Sequence, residues 1–449
     1  MAEVTVGIDI GTTSVKALAA DGDGNIVARA RVPHPFSVPT GDAMEHDANR
    51  AWRRGPRRAL AALGDVRARG LCVAAMVPSV TAVDRRGIPR TPGLLYGDSR
   101  GRTGDIHTAS PISGELEAFV GWSAKQLPDA RGYWPAQAVT NHVLSGQPVL
   151  DTGAASSGFP LFNGHGWDAD RAGAMGVDVA QLPRVEPTGQ AVGRVGDAVL
   201  ASGSVDALAE QIVAGADEDG DVLVLCGTTL ITWVVMAEWR QAPGLWTIPH
   251  TTPGKLMMGG PSGSGGLFLN WANRLLGRAE RSAAPADPHR VPVWTPYPHG
   301  ERTPLHDPDR RAGLHQLDLT HDTAAVRRAA VEAAGFVVRH HLELGGVPVR
   351  RIVATGGGTR DQAWIQALAD CTALPVDVAA VPEGAALGAA FLARVAAGME
   401  SSTTDAARWA RVSHRVEPDP RWVGPAGERY EVFRQRSGGP PDELEGDEA

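Results

Sequence analysis

The sequence predicts an α/β fold in two halves, and three observations predict it. The run VTVGIDIGTTSVKA, from residue 4, is matched in shape by VLVLCGTTLITW at 222–233: apolar strand, Gly-Thr-Thr, apolar strand. Strand and helix patterns alternate through much of the remaining chain. At 449 residues the chain is long for one domain, and its 43% hydrophobic content can fill more than one core. Aligning Gly11 with Gly227 gives an offset of 216 residues. Leu225 then stands where Asp9 stands in the first copy, so only one copy keeps the acid.

The elements follow in order. Residues 4–10 read as a strand that carries Asp9 and breaks into Gly11-Thr12-Thr13-Ser14. Asp21-Gly22-Asp23-Gly24 reads as a hairpin turn, and 26–30 as the returning strand. GLCVAAM at 70–76 and TAVD at 81–84 read as strands, with Arg85 to Gly87 turning the chain back. Residues 101–200 are rich in Gly, Pro and Ser and read as helix pieces and loops. A boundary near 236–243 gives expected domains at 1–238 and 239–432. Within the second, 322–344 has apolar residues at helical spacing, with Asp322 as its cap. RIVATGGGTRDQAWIQALAD reads as strand, triple glycine and helix, and EGAALGAAFLARVAAG as a small-residue helix suited to close packing. The acidic, Pro/Gly-rich end lacks apolar periodicity and is expected to be a disordered tail over 433–449.

Charge and cysteine usage exclude several classes. Lys and Arg number 43 against 51 Asp and Glu, a net charge of −8, whereas nucleic-acid-binding surfaces are usually basic. Cys72, Cys226 and Cys371 are far apart with no CxxC, which suits a reducing cytoplasm. Neither a signal peptide nor an apolar run near the ~20 residues of a membrane span is visible. A cytoplasmic protein without nucleic-acid or membrane partners is expected.

Glycine lets the backbone approach a phosphate, and exposed N–H groups and threonine hydroxyls can donate to its oxygens. An acid beside such a turn can hold Mg²⁺, often through water. Asp9 with Thr12 and Thr13 therefore makes a coherent nucleotide-phosphate site, although an isolated Gly-Thr-Thr reads more simply as a tight turn. The second copy and the triple glycine Gly356-Gly357-Gly358 favour a nucleotide. Neither GxxxxGK[ST] nor GxGxxG occurs, and no HExxH or Cys/His cluster suggests zinc. His340-His341 reads as a solvated or core pair, and GGPSGSGG at 259–266 misses the GxSxG elbow.

Five collinear stretches resemble the FGGY carbohydrate kinases, the family of xylulokinases, ribulokinases and glycerol kinases. GIDIGTTSVKA resembles the first phosphate loop. DRRGIPRTPGLLYGDSR resembles a turn followed by W-x-D-x-R, with Tyr96 in place of Trp and Asp98 and Arg100 kept. GSVDALAEQIVAGADEDGDVLVLCGTT resembles the GGxD element and second phosphate loop. PYPHGERTPLHDPDRRAGLHQL resembles the C-terminal signature, and RIVATGGGTRDQAWIQALADCTALPV with the following small-residue helix resembles the adenosine segment. The resemblance implies two actin/hexokinase-like (ribonuclease H-like) domains with the active site in the cleft between them. It implies Asp206 as the catalytic base, where residues alone suggest a helix cap. Asp9 would organise Mg²⁺. Thr12, Thr13, Ser14, Lys16, Thr228 and Thr229 would hold ATP phosphates, and Gly356, Gly357 and Gly358 would run along adenosine.

The chain departs from the xylulokinase pattern at AAMVPS, 74–79, where the family has S-G-Q-M-H-G. Met76, Val77 and Pro78 would line the sugar pocket, with Val77 and Pro78 replacing a Met-His pair. The helical stretch after Arg100 also reads as abbreviated. The expected activity is phosphorylation of a small sugar or polyol, a ketopentose or a relative of one, by ATP with Mg²⁺. The oligomeric state is left open, with a homodimer among the options, and a catalytically silent regulatory relative is the alternative.

Overall fold

The computed structural model describes residues 3–40, 43–101, 115–252, 254–277 and 286–439. The stretch expected to be abbreviated after Arg100 falls largely outside them. Two compact units are present, Met1–Val213 with Glu383–Trp409, and Ala214–Pro382 with Ala410–Ala449.

In the first unit, strands β1 (Val4–Ile10), β2 (Ser14–Ala20) and β3 (Ile26–Pro33) form an antiparallel meander. The Asp-Gly turn closes it as expected: Asp21 accepts from the Asp23 and Asn25 N–H groups, and Gly24 takes φ 77°. β4 (Ala68–Ala75) runs parallel to β1 on its other side. Beyond it lie β5 (Ala191–Val195) and β6 (Ala198–Ala201), giving the order β5-β6-β4-β1-β2-β3. The short β7 (Ser204–Val205) also pairs parallel with β4. Every residue of central β1 is buried, whereas β3 at the edge alternates half-buried and exposed, as a strand with one solvated face must. A smaller sheet joins Glu45–His46, Gly93–Leu95, Ser79–Val83 and Gly132–Trp134. Helix α1 (Ala136–Ser145) packs against β4, and α2 (Asp206–Ile212) follows β7 directly.

The second unit repeats the scheme. β8 (Asp221–Cys226) and β9 (Leu230–Met236) are antiparallel, β10 (Trp246–Pro249) and β11 (Leu256–Ser262) extend the sheet past β9, and β12 (Arg351–Thr355) lies parallel to β8. With β13 (Val376–Ala379) and β14 (Val412–Val416) the order is β10-β11-β9-β8-β12-β13-β14. The 216-residue offset that sets Gly11 on Gly227 also sets both ends of β2 on those of β9. Helix α3 (Gly266–Leu276) follows β11. α4 (Thr323–Gly345) starts at the expected cap, Asp322, which accepts from the Ala325 N–H at 2.8 Å. α5 (Gln362–Thr372) follows the triple glycine.

The small-residue helix α6 (Gly384–Ala396) departs from the expected 239–432 domain, because it packs within the first unit. A Cβ on Gly7 of β1 would overlap the Ala386 carbonyl oxygen, and one on Gly388 would overlap the Ala209 carbonyl oxygen of α2. α6 therefore backs both the first sheet and the helix that begins at Asp206. By the same contacts the first unit breaks at Val213, ahead of the expected residue 238. The expected tail also needs correction. α7 (Pro420–Ser437) runs five residues into 433–449, because Phe433 is fully buried against Phe336 and Tyr430, and Tyr297 donates to the Ser437 hydroxyl. Residues 440–449 lie outside the described ones.

Candidate active site

Strand register assembles one group of the expected residues. In the parallel pair β1–β4, Asp9 is level with Ala74, and in β7–β4, Val205 is level with Ala75. Asp9, the 76–78 segment and Asp206 thus meet at the C-terminal ends of three neighbouring parallel strands, where open α/β sheets place ligands. Gly203, ahead of β7, takes φ 128° and leaves no room for a Cβ beside Gln137 and the Val73 carbonyl. Gln137 in turn donates to the Val73 and Ser204 carbonyls and to Asp151, fixing β7 beside β4.

Two carboxylates and one ammonium share this edge. Asp9 is 3% exposed, and Lys16, directly opposite it in the β1–β2 ladder, donates from Nζ to Asp9 Oδ2 at 2.8 Å. The Asp9 charge, with lesser help from Glu210 and Asp206, holds the Lys16 ammonium pKa above its ordinary value. Asp206 is the first residue of α2, whose cap position is Val205, so it lies within the first turn and does not cap the helix. Its Oδ1 accepts from the Ala207 N–H at 2.7 Å. Although partly open to solvent, the carboxyl is crowded by protein. Burial first and the Asp9 charge second push its pKa up to about 6, against the opposing pull of the Ala207 N–H and Lys16.

The first Gly-Thr-Thr turn is closed by the Gly11 N–H on the Ser14 carbonyl at 3.1 Å. Thr13 is exposed at its tip. Thr12 is buried, with Oγ1 2.7 Å from the Tyr96 hydroxyl, and the Ser14 hydroxyl accepts from Arg31. His46, which no sequence motif marks, anchors the turn from below. The Trp52 indole N–H donates to His46 Nδ1 at 3.0 Å, so Nε2 carries the imidazole proton and donates to the Thr12 carbonyl at 2.7 Å. Burial, reinforced by His34, lowers the His46 pKa to about 3, so the ring stays neutral. Tyr96, in the place of the family's Trp, thus touches the loop itself. Asp98 is fully buried, accepting from the Met44 N–H and from Arg100, which also pairs with Glu45 at 2.7 Å beside His46.

The three residues expected at the sugar separate. Met76 is 3% exposed within the first core, and Pro78 is buried. Val77 is half-buried, and with Ala207 and Leu208 it packs over Leu150, Phe162 and Val205. Val77, Ala207 and Leu208 thus form an apolar patch on one side of Asp206.

In the second unit the other Gly-Thr-Thr turn rests on the start of α3. The Gly266 N–H donates to the Gly227 carbonyl at 2.8 Å and the Leu267 N–H to that of Thr228 at 3.0 Å. Thr228 and Thr229 are half-buried. The triple glycine comes to the same strand end: a Cβ on Gly356 or Gly358 would stand 2.9 or 2.7 Å from the Cys226 carbonyl oxygen. Gly357 is exposed and has open space. Each unit thus carries one glycine-threonine turn at a strand end, and only the first carries the acid, because Leu225 fills the matching position as a core residue. His340 and His341 are the buried pair that the sequence allowed.

Among the described residues no helix is long and apolar enough to cross a membrane. The sequence matches the model of the FGGY family of carbohydrate kinases, N-terminal domain, over residues 4–101, and that of the C-terminal domain over 222–397. It is 25% identical to a gluconokinase of Bacillus subtilis (strain 168), covering 89% of this chain and 88% of that one. It is likewise 25% identical to a xylulose kinase of Escherichia coli (strain K12), covering 96% and 98%. The solved xylulose kinase of Rhodospirillum rubrum superposes with a TM-score of 0.75 at 26% identity, covering 96% of this chain and 97% of that one. With two actin-like α/β units and both family models matched in order, the chain belongs to the FGGY family of carbohydrate kinases, phosphotransferases that act on sugars.

Proposed function

We propose that this kinase moves the γ-phosphoryl group of ATP to a hydroxyl of a small sugar or polyol, with Asp206 as general base. The observation that carries the reading is the Asp206 carboxyl, its pKa raised to about 6, beside Asp9 and Lys16 at one strand edge. A base of that strength is ionised at neutral pH yet basic enough to take a proton as the acceptor oxygen bonds to phosphorus. The hydroxyl oxygen attacks the γ-phosphorus and the bond to the β–γ bridging oxygen breaks. The hydroxyl proton passes to Asp206, and ADP leaves.

Phosphoryl transfer demands positioning and charge neutralisation more than covalent chemistry. Thr12, Thr13, Ser14, Lys16, Thr228 and Thr229 are the residues assigned to the phosphates in this reading, and Gly356 to Gly358 are those assigned to adenosine. Gly357 has the open space that such an approach needs. Mg²⁺ typically needs only one or two carboxylates, with water and phosphate completing its shell. Asp9, a buried hard-oxygen donor whose counter-charge is a single lysine, fits that requirement. Bound there, Mg²⁺ would neutralise phosphate charge. A need for ATP would suit the cytoplasm.

The test is an ADP-release screen with ketopentoses, ketohexoses, pentitols, tetritols, glycerol and gluconate. Turnover of at least one, dependent on Mg²⁺, is expected. No turnover with ATP binding intact in calorimetry transfers the chain to the regulatory alternative.

A further inference from the structure

The GERTP segment carries a buried carboxylate to which the proposed reaction gives no part. Glu301 is 4% exposed, and four donors converge on it. Oε1 accepts from the backbone N–H groups of Gly263 at 3.0 Å and Arg302 at 2.7 Å. Oε2 accepts from the hydroxyls of Ser262 at 2.6 Å and Ser264 at 3.1 Å. Ionised, the carboxylate offers acceptors on both oxygens, and these four donors oppose the burial that pushes its pKa up to about 7. Two residues on, Thr303 grips the same stretch: its N–H and hydroxyl both donate to the Pro261 carbonyl, at 3.2 and 2.8 Å. Residues 301–303 therefore strap the end of β11 in place.

What the strap holds is the approach to the second phosphate loop. Ser262 to Ser264 lead straight into Gly265 and Gly266. A Cβ on Gly265 would stand 2.6 Å from the Leu230 nitrogen and 2.8 Å from the Thr229 carbonyl carbon. One on Gly266 would stand 2.9 Å from the Gly227 oxygen. The N–H groups of Gly266 and Leu267 then hold the Gly227 and Thr228 carbonyls. A continuous chain of contacts runs from Glu301 through the Ser262–Ser264 stretch to the backbone of Thr228 and Thr229.

We infer that Glu301 is a positioning residue for the Thr228–Thr229 loop, fixing through Ser262 and Ser264 where that loop meets ATP; this rests on the assignment of the loop to the phosphates. In Glu301→Gln one oxygen remains for the two N–H groups, while an amide NH₂ faces the two serine hydroxyls and cannot accept from them. The stretch leading to the loop loses the acceptor for its two serine hydroxyls, and nucleotide binding weakens while the first unit's sugar wall is untouched.

The experiment measures KM for ATP and KM for the best screened sugar in the full chain. Glu301→Gln should raise KM for ATP by about tenfold, the range for losing hydrogen bonds to a buried charge, and leave KM for the sugar within about twofold. Ser262→Ala, which removes one of the four donors, should raise KM for ATP by about threefold. Combined, the two should raise it by less than the product of the single effects. Unchanged KM for ATP in both variants, whatever their melting temperatures, overturns the inference. If Glu301→Gln does not fold, Ser262→Ala decides alone. Thr228→Val separates the two layers: an unaltered KM for ATP there overturns the loop assignment, whereas a raised one with silent Glu301 and Ser262 variants overturns only the role of Glu301.

Discussion

Lys16 and Asp9 face each other across the β1–β2 ladder and share a 2.8 Å hydrogen bond, an ion pair set by strand register. In the free protein the ammonium is the counter-charge that makes a carboxylate with 4% side-chain exposure tolerable. Removing one partner of a fully buried pair costs about 3–5 kcal/mol, mostly from the charge left behind. Lys16 keeps 30% side-chain exposure, so solvent screening reduces this to roughly 1–2 kcal/mol. Lys16→Met should therefore melt earlier, and millimolar Mg²⁺ should return more stability to it than to the wild type by binding the stranded carboxylate. Thermal melts with and without Mg²⁺ read this directly. Equal Mg²⁺ effects in both proteins would remove Asp9 from the metal site.

Asp206 gives two linked outcomes of opposite sign. Asp206→Asn keeps shape and an acceptor for the Ala207 N–H but cannot take a proton. Turnover should fall by roughly 10²–10⁴-fold, with ATP affinity nearly unchanged. The folded pKa of about 6 lies above the ordinary 3.8, so folding favours the protonated acid. That contribution is complete below pH 3.8 and is lost as pH rises through about 6. At pH 7 the wild type carries the cost of a crowded charge, and Asp206→Asn should be more stable by on the order of 1–3 kcal/mol. In the wild type kcat/KM should fall with unit slope below about pH 6. A rate retained above about a tenth in Asp206→Asn, far outside the range for a general base, would falsify the assignment.

The triple glycine separates space from strain. Gly357→Ala should fold normally, because nothing lies within 4 Å of its added Cβ. Gly358→Ala should destabilise the second unit by roughly 1–3 kcal/mol, since its Cβ meets the Trp364 ring and stands 2.7 Å from the Cys226 oxygen. If Gly357 lies along adenosine, its methyl should still raise KM for ATP. Equal melting temperatures for the two variants would contradict the packing, and an unchanged KM in Gly357→Ala would contradict the adenosine role.

Much of the fold is legible in the sequence because its signals are local. Asp21-Gly22-Asp23-Gly24, the Asp322 cap and the repeated Gly-Thr-Thr depend on neighbours a few residues away. The Asp9–Lys16 pair was also readable, since counting outward equally from the Gly11–Ser14 closure brings the two opposite. Distant partners were not. Nothing in GAALGAAFLARVA says that it returns to Gly7 and Ala209 of the first unit. Tyr430 and Phe433 continue a helix that the acidic composition beyond them obscured. His46 sits on a two-residue strand without a motif, and Glu301 acquires meaning only once Ser262 and Ser264 are folded against it.

Substrate choice is the last expectation, and it turns on whether Val77 faces the sugar. Where the xylulokinase pattern has Met-His, this chain has Val77 half-buried with Ala207 and Leu208 over Leu150, Phe162 and Val205, and Pro78 buried beside it. None of these side chains offers a hydrogen bond. A site built to hydrogen-bond a hydroxyl discriminates strongly for it, whereas an apolar wall leaves that hydroxyl unpaired when it is pressed against it. The unpaired group should cost roughly 1–3 kcal/mol, about one to two powers of ten in kcat/KM. D-xylulose should therefore rank below a substrate that presents a hydrogen or a methyl group at the position facing Val77. The measurement is kcat/KM for D-xylulose against deoxy and C-methyl sugars and polyols of the same chain length. Val77→Thr, which puts a hydroxyl on the wall at nearly constant volume, should narrow the gap between D-xylulose and its deoxy counterpart. If D-xylulose ranks first in the wild-type protein, the apolar wall does not face the sugar, and other residues hold it.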